Sequence, residues 1–188
     1  MARDIGRMKP VQILAASTES DYQTARSLFE EYARTLSFDV CFQDFAAELD
    51  QLPAMYGPPR GHLLIAWRER RAVGCVALRT LEPGVSEMKR LYVRPEARGT
   101  GLGRELASAI VERARSDGYR SIVLDTLRSM VEARVIYRSL GFVQRTPYYA
   151  NPAPDVAFME LRLQSPSQHG SQGSSPRGPQ ETPCTATP

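Results

Sequence analysis

Residues that build metal centres and disulfide frameworks are scarce in this chain. Its 188 residues include only two histidines, His62 and His169, and three cysteines. Cys41, Cys75 and Cys184 lie far apart and form no C-x-x-C pair, which argues against both a disulfide framework and a zinc site. Two histidines are also too few for an imidazole-based metal site. We therefore expect a protein that holds no metal.

Long apolar runs and blocks of like charge are missing as well. No apolar stretch approaches the length that spans a bilayer, and the first ten residues, MARDIGRMKP, lack an apolar signal core. A net charge of +3 without a block of Lys or Arg gives no reason to expect binding to nucleic acid. The sequence thus predicts no membrane and no nucleic-acid partner, and a cytoplasmic location.

The length of the chain is enough for one domain with a sizeable core. Residues 1–9 are polar, and we expect a flexible N-terminus there. Thirteen of the 25 residues from Gln164 to Pro188 are Pro, Gly or Ser, so this segment cannot bury enough apolar surface to offset its ordering entropy. We therefore expect the folded domain over residues 10–163 and a disordered tail over residues 164–188.

Apolar periodicity and turn signals predict a strand-rich chain with a few helices. Residues 62–67 and 72–81 are predicted as a hairpin, and residues 85–93 as a third antiparallel strand. The helical pattern from Leu102 to about residue 117 leads to the continuous apolar strand 121–126, which predicts a βαβ unit. The other predicted elements are a strand over 11–15, a helix capped within 18–20, a helix over 45–52 ending at Pro53, a helix with a Ser129–Glu132 capping box, and strands over 142–144 and 156–163.

The most informative stretch is EMKRLYVRPEARGTGLG, from Glu87 to Gly103. Its β-prone part ends at Pro95 and is followed by three alternating glycines and then a helical pattern. Such a turn brings several backbone N–H groups to one point, the helix N-terminus adds partial positive charge, and Arg98 adds charge-assisted hydrogen bonds. A phosphate or pyrophosphate ligand fits this turn, but neither G-x-G-x-x-G nor G-x-x-x-x-G-K-[ST] matches it.

The motif R-x-x-G-x-G after a strand, together with Tyr137 and the later Gly141-Phe142, resembles the acyl-CoA-binding motif of the GCN5-related N-acetyltransferases, the GNAT family. The chain is similar to a bacterial, small-molecule-type member over about residues 10–163. The resemblance implies an α/β (α+β) fold, with a mixed, mostly antiparallel central sheet of about six to seven strands flanked by about four helices and one βαβ acyl-CoA-binding unit. It also implies acetyl-CoA as co-substrate and direct acetyl transfer to an amine.

Roles for particular residues follow from the same resemblance. Glu87 falls where histone acetyltransferases carry their general base, with an ordinary strand-surface carboxylate paired with Lys89 or Arg79 as the alternative. Tyr137 stands where many members carry the acid that protonates the departing sulfur, with a buried core tyrosine as the alternative. Met130 replaces an asparagine that often contacts the cofactor arm. The strand before the turn is usually bulged, with a free N–H that polarises the acetyl carbonyl, and the implied cofactor-binding residues are Leu91, Tyr92, Val93, Arg98, Gly99, Thr100, Gly101, Leu102, Gly103 and Arg104.

Positive charge on two neighbouring strands motivates a hypothesis about the acceptor. Arg79, Lys89 and Arg90 cluster there, so we expect a small metabolite that bears a carboxylate, with ordinary exposed strand charges as the alternative. Tyr148 is a further candidate for the acceptor end, with packing as its alternative. Acetylation of a protein terminus or lysine and a non-catalytic acyl-CoA sensor are the other functions left open, and a homodimer is an option for the assembly.

Overall fold

The computed structural model describes residues 10–36, 42–151 and 155–163, and for residues 42–44 only the backbone. The predicted N-terminal segment 1–9, the tail 164–188, Cys41 and Cys184 lie outside the described residues.

A seven-stranded sheet organises the described residues, and its strands are β1 (Val11–Ala15), β2 (Gly61–Arg68), β3 (Arg71–Glu82), β4 (Val85–Val93), β5 (Ser121–Leu127), β6 (Val143–Arg145) and β7 (Val156–Arg162). Their order across the sheet is β1-β2-β3-β4-β5-β7-β6. Only β4 and β5 run parallel, and every other neighbouring pair is antiparallel. The predicted mixed, mostly antiparallel sheet with one βαβ unit is therefore confirmed.

The helices of the described residues are α1 (Glu19–Arg34), α2 (Phe42–Asp50), α3 (Leu52–Tyr56), α4 (Leu102–Ser116) and α5 (Val131–Ser139). The helix predicted over 45–52 is in fact the two short helices α2 and α3. The prediction that Pro53 ends a helix is wrong, because Pro53 lies in the first turn of α3. A proline is tolerated there, since the first N–H groups of a helix have no partner within it.

The two predicted helix starts have different outcomes. Thr18 caps α1 as expected, and its side chain and that of Asp21 form a reciprocal capping box. The capping box predicted from Ser129 and Glu132 is wrong, because Met130 is the N-cap of α5 and makes no side-chain capping bond. Ser129 contributes its carbonyl, which accepts the N–H of Val131 at 2.9 Å.

Both faces of the sheet are covered by helices. Buried side chains of α4 and α5 pack against one face, which Val76 and Leu78 of β3 share. Side chains of α1, α2 and α3 pack against the other face with Cys75 and Ala77. This alternation along β3 is the two-residue period of a strand with two buried faces.

Strands β4 and β5 part soon after they meet. Their pairing covers only Val85, Ser86 and Glu87 of β4, opposite residues 121–123 of β5. Both strands continue beyond that point, so their facing edges diverge around an opening between residues 88–93 and 124–127. We call this opening the β4–β5 gap. It lies where a βαβ unit places its ligand, at the carboxyl ends of the parallel strands.

Candidate active site

The turn between β4 and α4 is built on two glycines in the left-handed region. Gly99 has φ 73° and Gly101, the N-cap of α4, has φ 89°. Residues with a Cβ rarely adopt these angles, so the turn requires glycine at both positions. A Cβ at either glycine would meet no atom within 4 Å, which leaves the outer side of the turn open.

Backbone donors at the head of α4 lack partners within the described residues. The N–H of Arg98 bonds the carbonyl of Pro95 at 3.2 Å, and the N–H of Arg104 bonds that of Gly101 at 3.0 Å. The five N–H groups between them, from Gly99 to Gly103, have no acceptor in the described part of the chain. The N-cap residue, Gly101, supplies no side-chain acceptor for these N–H groups, since glycine has no side chain. These five donors and the helix dipole form a site suited to a phosphate.

The other residues predicted at this turn are used in different ways. The Arg98 guanidinium donates from Nε to the carbonyl of Val93 at 3.0 Å and is otherwise exposed, while the side chain of Arg104 is also exposed. Thr100 closes the turn by donating to the carbonyl of Ala97 at 2.8 Å. Leu102 is buried and anchors α4 in the core.

A bulge in β4 lies beside the gap. Cys75 pairs with Tyr92 and Ala77 pairs with Lys89, so two residues of β4, Arg90 and Leu91, stand opposite one residue of β3. Arg90 itself has φ 58°. One extra residue in one strand is the geometry of a β-bulge, which locally releases backbone groups from the ladder. The bulged strand expected from the resemblance is present.

The direction of the backbone groups after the bulge follows from Arg94, whose N–H bonds Val73 on β3 at 2.9 Å. N–H directions alternate along a strand, so the N–H groups of Leu91 and Val93 point away from β3 and into the gap. The N–H of Tyr92 points the opposite way, toward β3. Its buried ring packs against that of Tyr32, with the ring centroids 5.9 Å apart. Tyr92 therefore directs no backbone N–H into the gap.

Glu87 lies at the base of the gap and is only 1% exposed. Its carboxylate accepts Nε of Arg79 at 2.7 Å and the hydroxyl of Tyr148 at 2.7 Å, and Nζ of Lys89 lies 3.5 Å away. Burial acts to raise the pKa of Glu87, but the charges of Lys89 and Arg79 and these hydrogen bonds outweigh it, so the pKa is lowered. Glu87 thus has both partners that the alternative named, Arg79 and Lys89, but it is buried and not a strand-surface carboxylate.

Asp125 of β5 was not singled out from the sequence, although a carboxylate within an apolar strand was a usable signal. It faces Lys89 across the gap, with Nζ 3.6 Å from Oδ1. Asn151 donates to Oδ2 of Asp125 at 3.1 Å and to the hydroxyl of Tyr149 at 2.7 Å. The rings of Tyr148 and Tyr149 also contact one another at 5.1 Å. The loop after β6 is thereby fastened to both strands that border the gap.

The third predicted acceptor cation, Arg90, is engaged elsewhere. It forms a two-pronged ion pair with Glu48 of α2, in which Nε lies 2.9 Å from Oε1 and the second nitrogen contacts Oε2. The hydroxyl of Tyr56 donates to the same carboxylate at 2.7 Å. Burial acts to raise the pKa of Glu48, but the bonds to Arg90 outweigh it and lower the pKa. Sequence reasoning missed Glu48 altogether.

Tyr137 of α5 is 7% exposed, and its ring lies 5.7 Å from that of Phe142. Burial raises the pKa of its hydroxyl above the ordinary value, and Tyr32 and Asp125 raise it further. The neighbouring residue on α5, Ile136, lies beside Gly103 of the glycine turn. Within the described residues the hydroxyl has no hydrogen-bond partner. Because its pKa is raised, the hydroxyl keeps its proton.

Two further expectations concern cysteine and metal. Cys75 is fully buried, and burial raises the pKa of its thiol, so it stays protonated and packs as a core residue. Among the residues that the structure describes, no group of three His, Cys, Asp or Glu side chains could hold a metal ion. Within the same residues, none of the helices has the length and apolar content needed to cross a membrane.

Known proteins resemble this chain in sequence and in fold. The sequence model of the acetyltransferase (GNAT) family matches residues 22–142. An uncharacterized N-acetyltransferase of Schizosaccharomyces pombe is 42% identical over 83% of this chain and 98% of its own. An IAA acetyltransferase of Azospirillum brasilense is 36% identical over 56% of this chain and 70% of its own. A Salmonella typhimurium protein solved with its cofactor acetyl-CoA has a TM-score of 0.63 at 19% identity, covering 87% of this chain and 99% of that one.

The matched residues include β4, the glycine turn, α4 and Tyr137. The family model covers well over half of the chain, and the fission-yeast relative covers most of it. This chain therefore belongs to the GNAT family of acetyltransferases and is an N-acetyltransferase with acetyl-CoA as its co-substrate.

Proposed function

We propose that this enzyme transfers the acetyl group directly to the amine of a small metabolite. The observation that carries the proposal is the pair of walls around the gap. On one side Glu48 ties α2 to Arg90 of β4, and on the other side Tyr148 ties the loop after β6 to Glu87 of the same strand. Two such walls, fastened three residues apart on β4, oppose the open groove that an extended protein segment needs.

Acetyl-CoA supplies an activated thioester in this site. We assign its pyrophosphate to the N–H groups of Gly99 to Gly103 and its acetyl carbonyl to the N–H of Leu91, which faces the gap without a strand partner. The acceptor nitrogen forms the new C–N bond, the C–S bond breaks, and a proton is transferred to the departing sulfur. Preorganised backbone donors stabilise the charge that develops on the carbonyl oxygen.

Tyr137 is the group that we assign to protonate the sulfur. A hydroxyl with a raised pKa remains protonated over the working pH range, and it keeps a proton to give. Its neighbour Ile136 lies beside Gly103 of the glycine turn, and this proximity of α5 to the turn supports the role. The absence of a protein acceptor for this hydroxyl in the described residues also leaves it able to turn toward the sulfur.

For Glu87 we propose that it positions Tyr148 and Lys89 and that the acceptor amine loses its proton to water. Glu87→Gln keeps the shape of the side chain but removes its charge. We expect the variant to lose about 2 kcal/mol of stability in urea unfolding, because hydrogen bonds to charged groups contribute about that much. Its kcat/KM should still rise with pH as the acceptor amine, whose free pKa is about 10, becomes deprotonated.

A flat wild-type profile, with the rise appearing only in Glu87→Gln, would instead identify Glu87 as the base, because an enzyme that lacks its base depends on the free amine. The contribution of Glu87 to the stability of the fold also depends on pH. The pKa of Glu87 is lowered in the folded state, so its contribution is complete above the unfolded-state pKa and is lost as the pH falls through the folded-state value. The urea unfolding midpoint of Glu87→Gln should therefore fall less on acidification than that of the wild-type enzyme.

Lys89 is the cation that we propose to meet an acceptor carboxylate. Its two contacts are 3.5 and 3.6 Å long, whereas Arg79 bonds Glu87 at 2.6 and 2.7 Å, so Lys89 is the more readily available of the two. We expect Lys89→Ala to raise KM about tenfold for an amino acid, because a charge-assisted bond contributes about 1.5–3 kcal/mol, and to leave KM of the decarboxylated amine unchanged. Equal KM values for both acceptors in the variant and the wild type would contradict this assignment.

A screen of amines tests the function as a whole. CoA release is followed with a free-thiol dye in the presence of acetyl-CoA and a panel of amino acids, their decarboxylated amines, polyamines and short peptides. We expect turnover with at least one small amine and none with peptides. Turnover confined to peptides would assign the enzyme to protein acetylation instead.

A further inference from the structure

Arg90 occupies a bulge position that usually belongs to glycine. It is the first of the two residues that form the bulge in β4, and its φ of 58° lies in the left-handed region. Side chains with a Cβ seldom occupy that region, and arginine has no local side-chain bond that favours it, unlike asparagine or aspartate. Something outside the strand must hold this backbone conformation.

Two contacts from outside β4 reach Arg90: its side chain forms an ion pair with Glu48, and its carbonyl accepts Sγ of Cys75 at 3.5 Å. The side chains of the ion pair are 11% and 8% exposed, and the pair is two-pronged, so the guanidinium plane is fixed in orientation as well as in place. The ring of Phe45 lies 5.0 Å from the guanidinium carbon and that of Phe29 lies 6.0 Å away. The hydroxyl of Tyr56 occupies another lone pair of the carboxylate. We call these residues the bulge clamp.

The peptide bond that follows Arg90 carries the N–H of Leu91, which points into the gap. Its direction depends on the backbone angles of Arg90. We propose that Glu48 and Arg90 are positioning residues, which hold the bulge so that the N–H of Leu91 is aimed at the acetyl carbonyl. The inference rests on the proposed function, because that function places the carbonyl at Leu91. Helix α2 borders the acceptor side of the gap. Through Glu48 it also helps to orient the N–H that polarises the acetyl carbonyl.

Arg90→Lys tests the clamp. Lysine keeps the charge of Arg90 but cannot form the two-pronged contact, so the bulge loses its fixed orientation. We expect kcat to fall about tenfold and the affinity for acetyl-CoA to change less than threefold, because one oriented donor acts mainly on the transition state. The carbonyl stretch of bound ¹³C-labelled acetyl-CoA should shift to higher frequency than in the wild-type complex, as a weaker hydrogen bond polarises the carbonyl less.

Arg94→Lys is the matched control. Arg94 lies four residues after Arg90 and forms a similar two-pronged ion pair with Glu31 of α1. Unlike Arg90, it lies outside the bulge, and its φ is −57°. We expect neither kcat nor the carbonyl stretch to change in this variant. If wild-type protein does not bind acetyl-CoA in calorimetry, the proposed function fails. If it binds, and Arg90→Lys has the kcat and carbonyl stretch of the wild type, only the clamp is overturned.

A pair of double variants tests the same idea without a buried cation. Glu48→Gln with Arg90→Gly and Glu48→Gln with Arg90→Ala both remove the clamp, but only glycine adopts a positive φ without outside support. We expect the glycine variant to retain about tenfold more kcat than the alanine variant at comparable affinity for acetyl-CoA, in line with the effect of one oriented donor. Equal kcat values in the two, or a higher value with alanine, would overturn the proposal even if Arg90→Lys is too unstable to measure.

Discussion

Replacing Gly101 with valine is expected to weaken acetyl-CoA binding about 100-fold, which corresponds to about 2.7 kcal/mol. The φ of 89° at Gly101 is one that a β-branched residue does not tolerate, so the turn must rearrange. Rearrangement disperses the N–H groups of Gly99 to Gly103, which are aimed at one point only in the present turn. Calorimetric titration with acetyl-CoA measures the loss, and unaltered affinity would contradict the placement of the pyrophosphate.

Gly118→Val supplies a control with the same strain. Gly118 has φ 78°, follows the other end of α4, and like Gly101 offers a Cβ no neighbour within 4 Å. Both variants should lose about 1–2 kcal/mol of stability, because a left-handed residue with a Cβ costs about that much. Only Gly101→Val should lose affinity for acetyl-CoA. A similar loss of affinity in both would show that strain anywhere along α4 is enough, and that the turn has no special role.

Replacing Tyr137 with phenylalanine is expected to lower kcat about 100-fold, within the range of a well-placed general acid. The ring, which packs against Phe142, is retained, and the hydroxyl has no protein partner in the described residues. We therefore expect the affinity for acetyl-CoA and the unfolding midpoint to stay close to those of the wild type. Tyr119→Phe is the control, since that hydroxyl bonds Thr80 at 2.5 Å and is remote from the gap. Its kcat should match the wild type.

The pH dependence of kcat gives a second measurement on Tyr137. A tyrosine with an ordinary pKa would lose its proton near pH 10, and an acid with that pKa would stop working there. Because burial raises the pKa of Tyr137, the acid form persists to higher pH and kcat should not decline as the pH passes through 10. A decline with a midpoint below 10 that disappears in Tyr137→Phe would contradict the raised pKa, and wild-type kcat in Tyr137→Phe would remove the acid role.

Much of the fold and of the cofactor turn could be predicted from the sequence because those features are local. A glycine at every second position after a strand, followed by an apolar stripe at helical spacing, already implies a turn with converging N–H groups. The same is true of β4, whose predicted bounds of 85–93 are those of the structure. The two wrong predictions, at Pro53 and Ser129, both concern where a helix begins or ends. Single residues determine such boundaries only weakly.

The partners of the charged side chains depend on contacts between distant residues, and only the tertiary structure decided them. Arg79, Lys89 and Arg90 appear from the sequence as one positive cluster, yet Arg90 is paired with a residue 42 positions away on α2. Burial decided the chemistry in the same way, since it raises the pKa of Tyr137 while paired cations lower that of Glu87. The sequence alone determined where a phosphate could be held, because backbone geometry there depends on neighbouring residues. The proposed roles of Glu87 and Tyr137 depend on which charges the folded chain brings together, because the pKa of a side chain depends on its surroundings in space.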